Sequence, residues 1–290
     1  MAHVGVLTLH GMGNTSPHYA VDLFDEIRTR LGPADAANVE MKAIYYQNIL
    51  QDNQEDYYRR VKRRLRWDDL REFILYGFSD AASLEAKKHG PDSPYFQAQL
   101  RILGGLKVLY SMLSGNDRRV VIVAQSLGGQ VVSNYLWDAT PGRTPRHGVW
   151  SVPQNFSSPE EETFCRGRKT TRLMTTGCNI PIFCAGLDRD DITPIDELSP
   201  GFEWHNYYDR DDVLGWPLKP LSDAYAARVT GDHPINAGLI TGFTPLSHTA
   251  YWRDRDFLRP LITHITRSFW PSSAAPVTVT HRSQTGRVMT

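Results

Sequence analysis

The chain has 290 residues, with 32 basic side chains balanced by 32 acidic ones and hydrophobic residues at 41%. This composition excludes disorder over most of the length and offers no basic surplus for a nucleic-acid partner. A chain this long buries enough apolar surface to fold without disulfide or metal staples, as one large domain or two modest ones.

Met1–Leu9 lacks the charged n-region and cleavage site of a secretory signal, and no apolar run approaches the ~20 residues that span a bilayer. Cys165, Cys178 and Cys184 form no CxxC pair. Reduced thiols in a cytoplasmic protein are the expectation, with a disulfide from Cys165 to Cys178 or Cys184 left open.

Val4–Leu9 reads as a core strand ending in the glycine-punctuated turn His10-Gly11-Met12-Gly13-Asn14. Val21, Phe24, Ile27 and Leu31 give residues 18–31 one apolar helical face, and Gly32-Pro33 stops it. A second strand is expected at Val39–Tyr46. Residues 51–118 then turn helical, with Leu100, Leu103, Leu106 and Leu109 spaced by three, and read as a helical insertion or cap. Val120–Ala124 is β-branched, uncharged and uninterrupted, as a central parallel strand covered on both faces should be. A helix follows over Gly128–Trp137, then a long excursion over 140–170 rich in Pro, Gly, Ser and charge. Further strands are expected at Arg172–Thr176 and Glu203–Asp209, and a final helix at Phe257–Phe269. The tail 272–290, rich in Ser and Thr, is expected to be disordered. Strands alternating with helices imply an α/β fold on a mostly parallel sheet.

The sharpest local signal is Ala124-Gln125-Ser126-Leu127-Gly128-Gly129, between the strongest strand and a helix. A serine at such a turn is held in a strained conformation that presents its hydroxyl at the top of the sheet. Small residues two before and two after it let strand and helix pass closely. Ala124 stands where glycine is usual, and Gly128 fills the other position. The helix start after Ser126 adds free N–H groups and a positive dipole end. Gly11-Met12-Gly13 starts like a dinucleotide fingerprint, but Ser16 occupies its third glycine position.

With these motifs the sequence resembles the α/β-hydrolase superfamily, specifically its lipase-like serine esterases, over most of residues 3–265. The resemblance implies one hydrolase domain over 1–271, an insertion at 51–118, and the order oxyanion loop, serine, acid, histidine. Leu7-Thr8-Leu9-His10-Gly11-Met12 is similar to the family's strand and His-Gly loop. It implies that Met12 and Leu127 supply the backbone N–H groups for an oxyanion, stabilising charge that develops only in the transition state. His248, in a polar loop before the last helix, matches the family's general base. His233 in Gly231-Asp232-His233-Pro234 is the runner-up, and His10 is read as a brace for the oxyanion loop.

Two acidic loops compete for the orienting carboxylate, one at Asp188–Asp191 and one at Asp209–Asp212. Leu173–Cys178 resembles the preceding strand and Thr-x-Gly turn of lipase-like members, which places the acid after the Trp204 strand. There Asp211 aligns with the acid; Asp212 is the close alternative and Asp190 the third. The implied activity is ester hydrolysis through an acyl-enzyme, without cofactor or metal, on a small-molecule or lipid ester. A lipase, phospholipase or acyltransferase on the same fold, or a catalytically silent binding protein, are the alternatives. Six basic residues within 59–66 read as a solvated helix face balanced by nearby acids, with no contact to a membrane surface expected.

Overall fold

Two strands drawn from opposite ends of the first 125 residues lie side by side. β1 (Val4–Leu9) pairs in parallel with β2 (Val39–Ile44) on one side and with β3 (Arg119–Gln125) on the other. The computed structural model describes residues 2–13, 15–62, 68–86, 90–115, 117–144, 147–236 and 251–269. β4 (Thr170–Thr176), β5 (Glu203–Asp209) and β6 (Gly231–Ile235) continue the sheet in the order β2-β1-β3-β4-β5-β6, every neighbour parallel.

The strands are apolar on both faces because both faces are covered. Leu7, Leu9, Ile122, Ala124, Leu173 and Trp204 pack under α4 (Pro94–Met112) and α5 (Leu127–Asp138). Val4, Val6, Val121, Val123, Met174 and Tyr207 pack under α1 (Val21–Ala36) and α9 (Arg255–Arg267). Alternate residues of one strand therefore enter different cores, as the two-residue period requires. α1 is broken at Gly32, whose φ of 74° marks the stop expected there; Pro33 opens a further turn.

Between β2 and β3 the chain forms α2 (Gln47–Val61), α3 (Asp68–Ala86) and α4. Ser93 caps α4 by accepting the Phe96 N–H at 3.2 Å, with Pro94 in the first turn. Leu103, Leu106 and Leu109 are buried against the sheet, each stabilising by about 1.5–3 kcal/mol, whereas Leu100 is exposed. α4 thus belongs to the sheet's own covering layer, and α2 and α3 form the part of the insertion that stands outside it. Among its described residues the later excursion contains a 3₁₀ turn at Gly148–Ser151, and α6 (Pro159–Cys165) capped by Ser158. α7 (Ile180–Cys184) follows β4, and α8 (Asp223–Arg228) precedes β6. The expected tail 272–290 lies outside the described residues.

The three cysteines are free, Cys165 and Cys178 buried and Cys184 half-buried. No helix among the described residues is long and apolar enough to cross a membrane.

Candidate active site

Ser126 sits where β3 ends and α5 begins, with φ 51° and ψ −122°. It is the one non-glycine residue at positive φ among those described. Such a conformation costs roughly 1–3 kcal/mol and persists only where the surroundings impose it. Here they do so from both sides. The Ser126 N–H donates to Thr176 O on β4 at 2.9 Å, and Ser126 O accepts the Gly129 N–H at 2.9 Å. Ser126 is buried, and its Oγ has no hydrogen-bond partner among the described residues.

The small residues around the serine have a steric reason. A Cβ on Gly128 would stand 2.5 Å from His10 O and 3.0 Å from Leu9 O, so the end of β1 closes directly on the first turn of α5. Likewise a Cβ on Gly11 would meet Ser126 Cβ at 2.9 Å. The loop after β1 is thereby pressed against the serine, with Met12 next in the chain. Leu127 opens α5, where the first N–H groups have no intrahelical acceptor. These are the two residues expected to supply oxyanion donors.

His10 holds this loop. Its Nδ1 donates to Gly11 O at 2.7 Å, and its Nε2 accepts the Tyr46 N–H at 3.2 Å. The Tyr46 ring stacks on it at 4.1 Å, and the Tyr46 hydroxyl donates to His10 O. Burial pushes the His10 imidazole down to about 4, so it is neutral at pH 7, with both ring nitrogens committed.

His233 lies on β6, stacked on Tyr207 at 4.8 Å, with its Nε2 3.0 Å from His205 Nδ1. It belongs to a polar cluster on the α9 face of the sheet. His205 Nε2 stands 3.0 Å from Glu203 Oε2, and the His264 ring on α9 lies 4.6 Å from that of His205. Ligand-type atoms of Glu203, His205 and His264 fall within 4.8 Å of one another. The Arg172 guanidinium fills that convergence, its Nε standing 3.0 Å from Glu203 Oε2 and 3.2 Å from His264 Nδ1. An arginine so placed already supplies the cation such a set of groups would attract. His248 falls in residues 237–250, outside the described residues.

The acidic turn after β5 separates its carboxylates sharply. Asp211 is exposed, and its backbone N–H donates to Asp209 Oδ1 at 2.9 Å. Asp212 is half-buried and turned inward: Oδ1 accepts the Leu214 N–H at 2.9 Å, and Oδ2 accepts the Tyr251 hydroxyl at 2.7 Å. Asp190 is exposed in the segment between α7 and β5. Beneath the turn runs a polar web not singled out in the sequence. Asn206 Nδ2 donates to Asp232 Oδ1 at 2.8 Å and Asn206 Oδ1 accepts from Thr175 Oγ1 at 2.8 Å, while Asp232 also accepts the Leu218 and Lys219 N–H groups. Isolated Asn, Asp and Thr residues carry no spacing signal that would have marked them.

Within the basic run, Arg59 and Arg60 are strongly exposed and both face Asp56. Arg63, Arg64 and Arg66 lie outside the described residues.

The parallel sheet with a strained serine elbow at the carboxyl end of a central strand defines an α/β-hydrolase fold. No family model matches the chain, and no curated protein matches it. Among solved structures it is similar to dienelactone hydrolase from Anabaena variabilis, at 12% identity and a TM-score of 0.41, over 92% of this chain and 86% of that one.

Proposed function

We propose that the protein is a serine hydrolase that cleaves carboxylic esters through an acyl-enzyme. The observation carrying this reading is the geometry of Ser126: a strained elbow, an Oγ without a described partner, and the β1 loop pressed against it at Gly11, next to Met12. Strain of this kind clusters at catalytic residues, ligand clamps and switches.

The described residues that flank His248 support its role as general base. The chain leaves the carboxyl end of β6 at Ile235 and returns at Tyr251-Trp252. Tyr251 bonds Asp212, and Trp252 Nε1 donates to Thr176 Oγ1 at 3.1 Å, on the residue whose carbonyl receives the Ser126 N–H. His248 precedes Tyr251 by three residues, a span of at most about 10 Å. The described flanks thus lie beside both the serine and the acidic turn, and with His10 and His233 committed elsewhere, His248 is the base we assign. In this reading Ser126 attacks the ester carbonyl as His248 takes its proton, and the alkoxide leaves with that proton. A water activated by His248 then frees the acid. Asp212, facing inward, is the carboxylate we assign to orient the imidazole, with Asp211 solvated beside it. The free thiols suit a reducing compartment such as the cytoplasm.

A fluorophosphonate probe should label the protein, and Ser126→Ala and His248→Ala should each abolish labelling together with turnover of p-nitrophenyl esters. Labelling that persists undiminished in Ser126→Ala sinks the proposal. Rates across acyl chains from acetate to palmitate would separate a short-chain esterase from a lipase.

A further inference from the structure

The helices outside the sheet layers touch the oxyanion loop at two points on one face of α3. Gly77 is the first: a Cβ there would stand 2.5 Å from Met12 Sδ, so the Met12 side chain is seated on the bare backbone of the helix. The second is Asp80, one turn on and fully buried. Its Oδ1 accepts from Gln54 Nε2 at 2.9 Å and its Oδ2 from Gln47 Nε2 at 3.1 Å, both on α2. The Gly13 N–H, next to Met12, also faces this carboxylate and favours its charged form.

The surroundings of Asp80 are costly ones. Its three donors are neutral, and a buried carboxylate without a cation beside it is penalised by desolvation. Burial pushes this carboxyl up to about 6, against the pull of the Gln54, Gln47 and Gly13 N–H groups, so it is largely ionised at pH 7. To supply those groups, Gln47 and Gln54 each leave a buried Oε1 without a partner among the described residues. An apolar residue at position 80 would avoid all three costs if filling space were the only requirement.

We propose that Asp80 is a positioning residue for ester hydrolysis: with Gly77 it fixes the Met12–Gly13 segment so that the Met12 N–H faces the oxyanion. The inference rests on the serine hydrolase reading. A donor displaced by a fraction of an ångström loses its differential grip on the transition state, which lowers kcat more than it raises KM.

The test uses the full-length chain with Asp80→Ala and Asp80→Asn, steady-state kinetics on p-nitrophenyl butyrate, and fluorophosphonate labelling. Asp80→Ala should lower kcat by about ten- to a hundredfold with KM within about threefold. Asp80→Asn should recover to within about threefold of wild type, because its amide oxygen still accepts the Gly13 N–H while its NH₂ meets a glutamine carbonyl. An alanine variant with wild-type kcat, or two variants equally impaired, overturns the role of Asp80. A labelled, active wild type confines that failure to Asp80, whereas a wild type that neither labels nor turns over ester overturns the hydrolase reading and this one with it. Should the alanine variant not fold, hydrogen exchange of the wild-type Gly13 amide decides: protection comparable to the β1 amides is expected, and exchange at the rate of an open loop overturns the proposal.

Discussion

The Tyr251 hydroxyl donates to Asp212 Oδ2 at 2.7 Å while accepting the Asp209 N–H at 2.9 Å. One phenol thus ties the segment entering α9 to the acidic turn after β5, and holds the Asp212 carboxylate inward while Asp211 stays exposed. Burial and the adjacent Asp212 and Asp209 carboxylates hold this phenol far above its ordinary range, so it remains a donor at any working pH.

Asp212→Asn should lower kcat by about a hundredfold or more, since an imidazole deprived of its orienting carboxylate adopts the wrong tautomer. Asp211→Asn should stay within about twofold of wild type, its side chain being solvated. Steady-state kinetics on one ester compares the two, and the reverse ranking would return the acid to Asp211.

Tyr251→Phe removes both the donor to Asp212 and an acceptor of the Asp209 N–H, two bonds made in a buried setting. Stability should fall by about 1–3 kcal/mol, the usual cost of an orphaned buried polar group, and kcat should fall as well. Urea unfolding followed by tryptophan fluorescence measures the first effect. An unchanged midpoint would mean that water or another group replaces the phenol.

Gly128→Ala places a methyl against the His10 and Leu9 carbonyls, backbone atoms that cannot rotate away. A loss of about 1–3 kcal/mol or more is expected, with fluorophosphonate labelling reduced in whatever protein remains folded. Wild-type stability and labelling in this variant would show that the elbow and the β1 loop are not in mutual contact.

Stability should decline in mild acid. Burial lowers His10 to about 4, and burial together with His205 and Arg172 lowers His264 to about 4, whereas both titrate near 6.5 in an unfolded chain. Between those values these two histidines bind more protons in the unfolded chain, so their stabilisation is complete above about pH 6.5 and is lost as pH falls toward 4; Asp80, raised to about 6, takes up its proton earlier in the folded protein and offsets part of that loss. His10, fully enclosed, contributes on the order of 3 kcal/mol to that loss, and His264 less. Urea midpoints at pH 7.5 and pH 5 check the sign; a flat or rising midpoint in acid contradicts it.

Thiol reactivity should divide the cysteines. Burial pushes Cys165 and Cys178 up to about 12, leaving essentially no thiolate at neutral pH, whereas Cys184 is half-exposed. Native protein should react with about one equivalent of a chromogenic disulfide, and with three after denaturation.

The parts legible in the sequence are those set by local pattern. Val120–Ala124 and Glu203–Asp209 declare themselves by composition, and Ser126 by the glycines that steric contact with β1 demands. β6 does not: Gly231-Asp232-His233-Pro234-Ile235 is short, polar and interrupted by proline, which only an edge strand tolerates. Its place comes from pairing with β5, a long-range contact with no local trace. The aspartates after β5 share one composition, and their fates diverge because Asp209 Oδ1 captures the Asp211 N–H and turns the next side chain inward. Spacing also cannot bring Arg172, Glu203 and His264 together, since they meet only once α9 has packed across β4 and β5. The same is true of Asp80, which is unremarkable within its helix until α2 supplies two glutamines and the β1 loop a glycine.

The seat of Met12 on Gly77 has a kinetic corollary. α3 cannot shift away from the β1 loop without releasing the Met12 side chain seated on it. Any such shift would loosen the loop segment that carries the Met12 N–H, so the packing of α3 and the readiness of that donor would rise and fall together.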